Sequence, residues 1–428
     1  MFGVCTEREA FRGFGNPILF LFMGSFMLAE AMMHHGLNRR VALGILRLPW
    51  VGSSPARIVG AFALIVGGLS MWISNTSAAA MMFPVALAIL SEMARRRSAQ
   101  LGRPVAVGEL RYGTGLMLAT AFAASIGGMA TPIGTPPNLI GLGLIAESAG
   151  TKISFFHWMA LGVPLSLVLL FFLIGYLNWS CPAEDGLLDG VLQDVVSEDL
   201  GPMSCGARNV LVAFGVTVAL WLAPGISTAV SGAGSPTAAW LGKHLPEGVA
   251  ALIGAALLFV LPVDWRQGQF TLGWGEARRI EWGTILFFGG GLSMGELMFS
   301  TGLAKWMGGG IAALLPADTQ LGLVVVFAVM SLVLTEVTSN TAAAAMVVPI
   351  AIAVAQAAGK SPVPCALAAS MAASLAFMLP ISTPPNAIVY GSGCVPILKM
   401  VRHGVMMDVV SVVLVIAFVY WGTPHILE

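Results

Sequence analysis

The sequence predicts an all-helical protein that crosses a membrane several times and is built from two related halves. Of its 428 residues, 57% are hydrophobic and only 10% are charged, and the mean hydropathy is +0.87. A chain this apolar cannot cover a folded domain with a water-exposed surface. The second observation is an internal repeat: eight of eleven positions match between residues 74–84 and 339–349. Each copy begins with the same Ser-Asn-Thr motif.

Eight segments are long and apolar enough to cross a hydrocarbon core about 30 Å thick, which takes about 20 helical residues. A Thr-Pro-Pro-Asn element interrupts one of them at 135–138 and another at 383–386. Consecutive prolines remove backbone donors and break a helix, so each half is expected to contain one interrupted transmembrane helix. The eight segments lie near 16–36, 112–147 (interrupted), 157–179, 208–225, 247–263, 283–303, 363–391 (interrupted) and 404–422.

The Ser-Asn-Thr motifs are expected at the tips of two re-entrant hairpins. As one straight helix, the stretch 56–93 would be roughly 57 Å long, nearly twice the membrane core, and each arm beside the motif is short for a full crossing. Arginines border both ends of this stretch, so the positive-inside rule places both ends in the cytoplasm. The second stretch, 319–357, is bordered only by Lys305 and Lys360 among basic residues, which indicates that both its ends are external. Opposed hairpins are what an inverted repeat requires.

The predicted organisation is a first inverted repeat over 1–180, a cytoplasmic linker over 181–207 and a second inverted repeat over 208–428. The first repeat has no counterpart of the two spans 208–225 and 247–263, so we expect an N-terminally shortened chain that lacks scaffold helices. The linker is acidic, and its carboxylates are expected to form a solvated surface. They are Glu184, Asp185, Asp189, Asp194, Glu198 and Asp199.

Helix breaks at membrane depth indicate a binding site. Non-helical backbone is tolerated there only where it is buried in protein or lines a wet cavity. At each hairpin tip the ending helix offers carbonyl oxygens to a cation, and the starting helix offers N–H groups to an anion. Asn and Thr side chains add neutral oxygens and donors. Four breaks, two from each half, are therefore expected to converge on the binding site of a membrane transporter.

These motifs, in this order, closely resemble the divalent anion/sodium symporter family, from about residue 16 to the C-terminus. The resemblance implies sodium-coupled uptake of a small divalent anion, such as the C4-dicarboxylate succinate, by an elevator movement in a homodimer. It implies that the anion binds Asn75, Thr76, Asn340, Thr341, Thr383 and Pro384. It places one sodium ion near Ser70, Ser74, Asn75 and Gly134, and a second near Thr335, Thr338, Asn340 and Ser382. Ser70 and Thr335 both lie five residues before their Asn, which agrees with this assignment.

The same sequence argues against an enzyme and against a nucleic-acid-binding protein. An enzyme would need a nucleophile, an acid and base or a metal cluster at membrane depth, and the histidine and cysteine spacings match none of these. The net charge of zero argues against a nucleic-acid partner. Sodium is the expected co-transported ion, with no organic cofactor, and the location is the cell (inner) membrane. The remaining alternatives are a sodium-independent dicarboxylate exchanger, a sulfate or citrate carrier, and a proton-coupled carrier.

A proton-coupled carrier would need a titratable residue in the site, which singles out Glu336. Met71 stands at the equivalent position of the first half, which favours a structural or second-half-specific role for Glu336. No Lys or Arg lies in the binding elements, so helix dipoles and bound sodium are expected to balance the charge of the anion.

Overall fold

The computed structural model of the chain describes residues 5–52, 54–184, 187–188, 190–196, 200–232, 235–314 and 319–427. Helices dominate these ranges. The strands found within them are one short antiparallel pair, β1 (Pro262–Asp264) and β2 (Gln269–Phe270). The linker acids Asp185, Asp189, Glu198 and Asp199 and the side chain of Asp194 lie outside what is described.

The first half and the linker contain nine helices within the described ranges, and short 3₁₀ turns at Arg12–Gly15 and Val107–Glu109. The first of these turns joins the N-terminal helix to the first long apolar helix. The helices are α1 (Glu7–Phe11), α2 (Pro17–His34), α3 (Leu37–Leu46), α4 (Pro55–Ser70), α5 (Asn75–Leu101), α6 (Arg111–Gly128), α7 (Pro136–Ser148), α8 (Phe155–Ser180) and α9 (Val191–Val196).

The second half repeats the order of hairpin, interrupted helix and long helix that closes the first half. Its helices are α10 (Cys205–Ser231), α11 (Pro236–His244), α12 (Glu247–Val260), α13 (Trp274–Ala277), α14 (Trp282–Ser300), α15 (Leu303–Leu314), α16 (Gln320–Val337), α17 (Asn340–Ala357), α18 (Pro362–Ala372), α19 (Pro384–Gly391) and α20 (Ile397–Leu427).

Within the described residues, seven single helices are long and apolar enough to cross a membrane, and α11 with α12 forms an eighth candidate bent by 64°. The seven are α2, α5, α8, α10, α16, α17 and α20. The two interrupted helices are confirmed, since α6 and α7 are separated at 129–135 and α18 and α19 at 373–383. The fold class is therefore the predicted all-helical, multi-pass membrane protein.

The Ser-Asn-Thr motifs lie at the turns between paired helices, α4 with α5 and α16 with α17. The predicted limits of the second hairpin, 319–357, agree with the helix bounds. The predicted end of the first hairpin at residue 93 is wrong, because α5 continues to Leu101. Arg95 and Arg96 pair with Glu92 one turn earlier, which supports this polar extension, and the helix ends at Gly102 with φ +65°.

The two halves pack into each other around the breaks. Helix α17 of the second half packs on α7 of the first, and α19 packs on α5 and α6. Small residues allow the closest approach: a Cβ on Gly127 would lie 2.6 Å from the carbonyl carbon of Gly67, so α4 and α6 meet backbone to backbone. Helices α2, α10 and α12 form a separate packed group beside this assembly.

The linker is more than a solvated surface. The Glu184 carboxylate accepts the backbone N–H of Arg111 at 2.7 Å, at the start of α6. Acidic groups are favourable at helix N-termini because the free N–H groups there carry partial positive charge. Leu187, Leu188 and Val191 of the linker are buried. The expectation of a purely solvated acidic surface is therefore wrong for Glu184.

Candidate functional site

The serine of each Ser-Asn-Thr motif starts a helix. Ser74 is the N-cap of α5, and its hydroxyl accepts the backbone N–H of Ser77 at 3.3 Å. Ser339 is the N-cap of α17 and accepts from Ala342 at 3.2 Å. Serine is a preferred N-cap because its side-chain oxygen satisfies one of the otherwise free N–H groups. The Asn and Thr that follow are therefore the first residues of each helix, where backbone N–H groups remain available.

A hydroxyl five residues before each motif Asn lies among oxygens. Ser70 Oγ lies 2.6 Å from Asn75 Oδ1 and 2.7 Å from the carbonyl oxygen of Ala124. In the second half, Thr335 Oγ1 lies 2.8 Å from Asn340 Oδ1 and 2.7 Å from the carbonyl oxygen of Ala373. A hydroxyl has one proton and can donate only one of its two contacts.

Each half thus places three oxygens around a single proton. Ser70 and Thr335 are fully buried. Oxygen clusters of this kind suit a hard cation, which prefers oxygen ligands. The two clusters are equivalent positions of the repeat, because each joins a hairpin to the helix that precedes a break.

The asparagine of each Thr-Pro-Pro-Asn element holds its break in place. Asn138 Nδ2 donates to the carbonyl oxygens of Gly128 (2.9 Å) and Thr131 (2.7 Å), ten and seven residues earlier. Asn386 Nδ2 donates at the same spacings, to Ala376 (3.0 Å) and Leu379 (3.1 Å). These carbonyls lie at or beside the breaks and would otherwise lose helical partners. No role was predicted for these two asparagines from the sequence, although the Thr-Pro-Pro-Asn motif that they share indicated that they have one.

The four breaks meet at one cavity of about 200 Å³. Helices α5, α7, α17 and α19 all begin there, so four helix N-termini with partial positive charge surround it. The predicted site residues that line it are Ser74, Asn75, Thr76, Gly134, Asn340, Thr341, Ser382, Thr383 and Pro384. Three residues on its wall come from outside the hairpin tips and breaks and were not predicted: Phe26 from α2, and Glu281 and Thr284 from the start of α14.

Three predicted sodium ligands do not line this cavity. Ser70 and Thr335 are buried behind the hairpin tips, in the oxygen clusters described above. Thr338 is half-buried, and its hydroxyl donates to the carbonyl oxygen of Leu334 at 2.8 Å, as a threonine commonly does within a helix. The Thr338 hydroxyl is therefore already committed to its own helix, and its backbone carbonyl is the group left to offer.

Glu336 does not line the cavity; its carboxylate bonds to the backbone of the second break. Its Oε1 accepts the backbone N–H groups of Phe377 (2.8 Å) and Met378 (3.0 Å). Its Oε2 accepts the N–H of Leu379 (3.2 Å) and the hydroxyl of Ser382 (2.7 Å). The buried carboxylate thereby satisfies the donors that the second break exposes, which accords with the structural or second-half-specific role expected for it.

In the first half, a threonine hydroxyl and not a carboxylate bonds to the backbone at the break. Thr131 Oγ1 donates to the carbonyl oxygen of Met71, the counterpart of Glu336, and accepts the N–H of Gly134 at 3.1 Å.

Asp408, on α20, was missed by the sequence analysis. Its Oδ1 accepts the N–H of Phe377 at 3.3 Å, and its buried Oδ2 has no partner among the described residues. An acid within the apolar span 404–422 was the signal that could have identified it.

Helix breaks that converge from two repeated hairpins on a polar cavity, inside a bundle of apolar spans, define a multi-pass membrane transporter. Residues 4–427 match the family described as the sodium:sulfate symporter transmembrane region. The chain is 35% identical over 434 residues to the sodium-dependent dicarboxylate transporter SdcS of Staphylococcus saprophyticus, covering 99% of this chain and 80% of that protein. SdcS of Staphylococcus aureus matches with the same identity and coverage.

Two solved structures share the fold. The YdaH transporter of Alcanivorax borkumensis superimposes with a TM-score of 0.61 at 15% identity, over 96% of this chain and 86% of that one. MtrF of Neisseria gonorrhoeae gives 0.58 at 12% identity, over 96% and 82%. The chain belongs to the divalent anion/sodium symporter family. It is a transport protein of the cell membrane and not an enzyme.

Proposed function

We propose that this protein couples inward sodium flow to the uptake of a C4-dicarboxylate such as succinate. The observation that carries the proposal is the repeated pair of oxygen clusters, Ser70 with Asn75 and Thr335 with Asn340, beside a cavity ringed by four helix N-termini. Oxygens offer sites to a hard cation, and N–H groups offer a site to an anion. The relatives named sodium-dependent dicarboxylate transporters support the same pairing of ligands.

The proposed sodium sites follow the repeat. The first ion contacts Ser70, Ser74 and Asn75, with Gly134 across the break. The second contacts Asn340 and Ser382, with Thr335 behind them and Thr338 contributing its backbone carbonyl. Because a hydroxyl that contacts a cation with its oxygen keeps its proton for another acceptor, Ser70 and Thr335 donate to Ala124 and Ala373 in the occupied sites.

The proposed anion site lies between the two tips, at Asn75 and Thr76 on one side and Asn340 and Thr341 on the other. Thr383 and Pro384 close it. No lysine or arginine lines the cavity in the part of the chain that the structure describes. The positive ends of four helices and the bound sodium ions therefore balance a dianion, which ties anion binding to sodium binding.

In this proposal the chain is organised as two inverted repeats, 1–180 and 208–428, joined by a cytoplasmic linker at 181–207. The hairpins and interrupted helices move as one body against α2, α10 and α12 in an elevator movement within a homodimer. The separate packing of these two groups of helices supports the division.

The test is uptake of labelled succinate into proteoliposomes that contain the purified chain, with an inward sodium gradient or with potassium in place of sodium. We expect uptake to require sodium and to be lost in Asn340→Ala. Ser331→Ala is the matched control, because Ser331 also donates to a carbonyl oxygen, that of Ala369 at 2.7 Å, but lies away from the cavity. Sodium-independent uptake, or full activity of Asn340→Ala, would contradict the proposal.

Proton coupling is the second candidate, and Glu336 again separates it from sodium coupling. Each oxygen of the Glu336 carboxylate accepts two hydrogen bonds, from three backbone N–H groups and Ser382. These four contacts hold the carboxylate against the second break, which suits a structural group better than a proton carrier. An inward proton gradient without sodium should therefore drive no succinate uptake in the same liposomes.

A further inference from the structure

Glu281 is an acid at a site that otherwise carries no charge. Among the described residues that line the cavity it is the only charged one, and its charge has the same sign as the proposed substrate. It is exposed, and its Oε2 accepts the hydroxyl of Thr284 at 3.3 Å. Arg278 and Arg279 lie close in the chain, yet no basic side chain within the described ranges forms an ion pair with Glu281. Its carboxylate therefore lies at the cavity without a direct ion pair among the described residues.

Glu281 also belongs to a different structural group from the rest of the site. The cavity wall comes mainly from the two hairpin tips and the two breaks, whereas Glu281 and Thr284 come from the start of α14 and Phe26 comes from α2. We place α14 with the static helices because it contacts α2, so that Glu281 adjoins the anion site only in some positions of the moving tips and breaks. The penalty that it imposes on an anion is then confined to those conformations.

The side of the membrane follows from the charges in the preceding loop. Arg266, Arg278 and Arg279 lie between α12 and α14, and the positive-inside rule places this loop in the cytoplasm. Glu281 directly follows it and marks the cytoplasmic end of α14. The conformation described here therefore has the anion site beside the cytoplasmic end of that helix, where an uptake carrier must release its substrate.

We propose that Glu281 is a release residue: a fixed negative charge on α14 that weakens dianion binding when the site adjoins the cytoplasm. This inference rests on the proposed function. For an assumed separation of roughly 8 Å, one unit charge changes the dissociation constant of a dianion by about five-fold in water at low ionic strength. A residue of this kind lowers affinity on one side only and so favours net uptake over exchange.

The experiment measures equilibrium binding of labelled succinate to the purified protein in detergent, at the lowest sodium concentration that saturates binding, because salt screens the charge. The variants form a charge series of wild type, Glu281→Gln and Glu281→Lys. We expect the dissociation constant to fall about five-fold at each step of one charge. The matched control is Glu276→Gln, an acid of the same loop that binds the backbone N–H of Gly273 and does not line the cavity. It should stay within about two-fold of wild type, because its charge lies outside the cavity wall.

A second measurement sets the charge after folding, in case a variant does not fold. Glu281→Cys is treated with a positively or a negatively charged methanethiosulfonate of similar size, and wild type is treated alike to control for its five cysteines. The positive adduct should bind succinate more tightly than the negative one. Equal or weaker binding in Glu281→Gln and Glu281→Lys, or no difference between the adducts, overturns the inference while leaving the proposed function intact. Absence of sodium-dependent succinate binding in wild type overturns both.

Discussion

The hydroxyl oxygen of Thr335 lies 2.8 Å from the carboxamide oxygen of Asn340, and Ser70 and Asn75 make the same contact at 2.6 Å. Both hydroxyls have a second carbonyl acceptor, and neither has a second proton to donate. Two equivalent sites therefore gather oxygens of the kind that a hard cation prefers. This arrangement is the basis of the first prediction.

Thr335→Val should raise the sodium concentration that gives half-maximal uptake by about ten-fold, because one oxygen is removed from a buried cluster. Thr335→Ser should preserve the wild-type value, since it keeps the hydroxyl. Ser331→Ala, one turn earlier on α16, serves as the control. The readout is the sodium dependence of uptake at fixed succinate, and an unchanged sodium dependence in Thr335→Val would remove Thr335 from the second sodium site.

Asn386→Ala should destabilise the protein by about 1–3 kcal/mol, because the carbonyl oxygens of Ala376 and Leu379 lose their donor in a buried position. Asn138→Ala should act in the same way on Gly128 and Thr131. The measurement is the free energy of unfolding in detergent. Similar losses in the two variants are expected because the two clamps have the same geometry; a loss in only one would show that the breaks are held differently.

Glu336→Gln should reduce both stability and sodium affinity. A carboxamide has only one acceptor oxygen, so some of the N–H groups of Phe377, Met378 and Leu379 would face an NH₂ group and remain unsatisfied. Each unsatisfied buried group costs about 1–3 kcal/mol. Glu247→Gln is the control, because Glu247 is only half-buried and its side chain accepts one hydrogen bond, from Phe155 at 3.3 Å.

Unfolding free energy and sodium-dependent uptake are measured on both Glu336→Gln and Glu247→Gln. The predicted second effect on Glu336→Gln arises through Ser382, whose hydroxyl donates to Glu336 Oε2. Loss of stability with a wild-type sodium dependence would show that Ser382 is positioned without Glu336.

Gly127→Ala should abolish transport and lower the yield of folded protein. Its new methyl group would lie 2.6 Å from the carbonyl carbon of Gly67, a backbone atom that cannot move aside. Gly68→Ala is the matched control. Gly68 follows Gly67 on α4, and a methyl group there would meet open space. The two variants are compared by size-exclusion chromatography and by uptake. Normal behaviour of Gly127→Ala would contradict the close packing of α4 against α6.

Much of the site was predictable because the signal is local and occurs twice. The Ser-Asn-Thr and Thr-Pro-Pro-Asn elements fix where helices start, and a break at membrane depth needs a partner, so convergence of 74–76 with 339–341 follows from the sequence. The length of α5 was not predictable from hydropathy, because its last turns are polar and are supported by side-chain pairs such as Glu92 with Arg95.

The remaining site residues depend on contacts between distant parts of the chain. Glu281 reaches the cavity only because α14 packs beside α7 and α17. Asp408 meets Phe377 only because α20 packs on α18. Nothing in the local sequence of either residue specifies these neighbours, and an acid in an apolar span indicates a role without indicating the partner.

The asparagine clamps and oxygen clusters are complete within each pair of elements that they join, and neither copy borrows a side chain from the other. Damage to one copy should therefore leave the other formed, and the effects of paired substitutions should add where the residues are far apart. A carrier arranged in this way can change the ion preference of one hairpin while the other is held constant. Under the proposed function, the duplication gives the molecule two separately adjustable ion sites that serve one shared substrate.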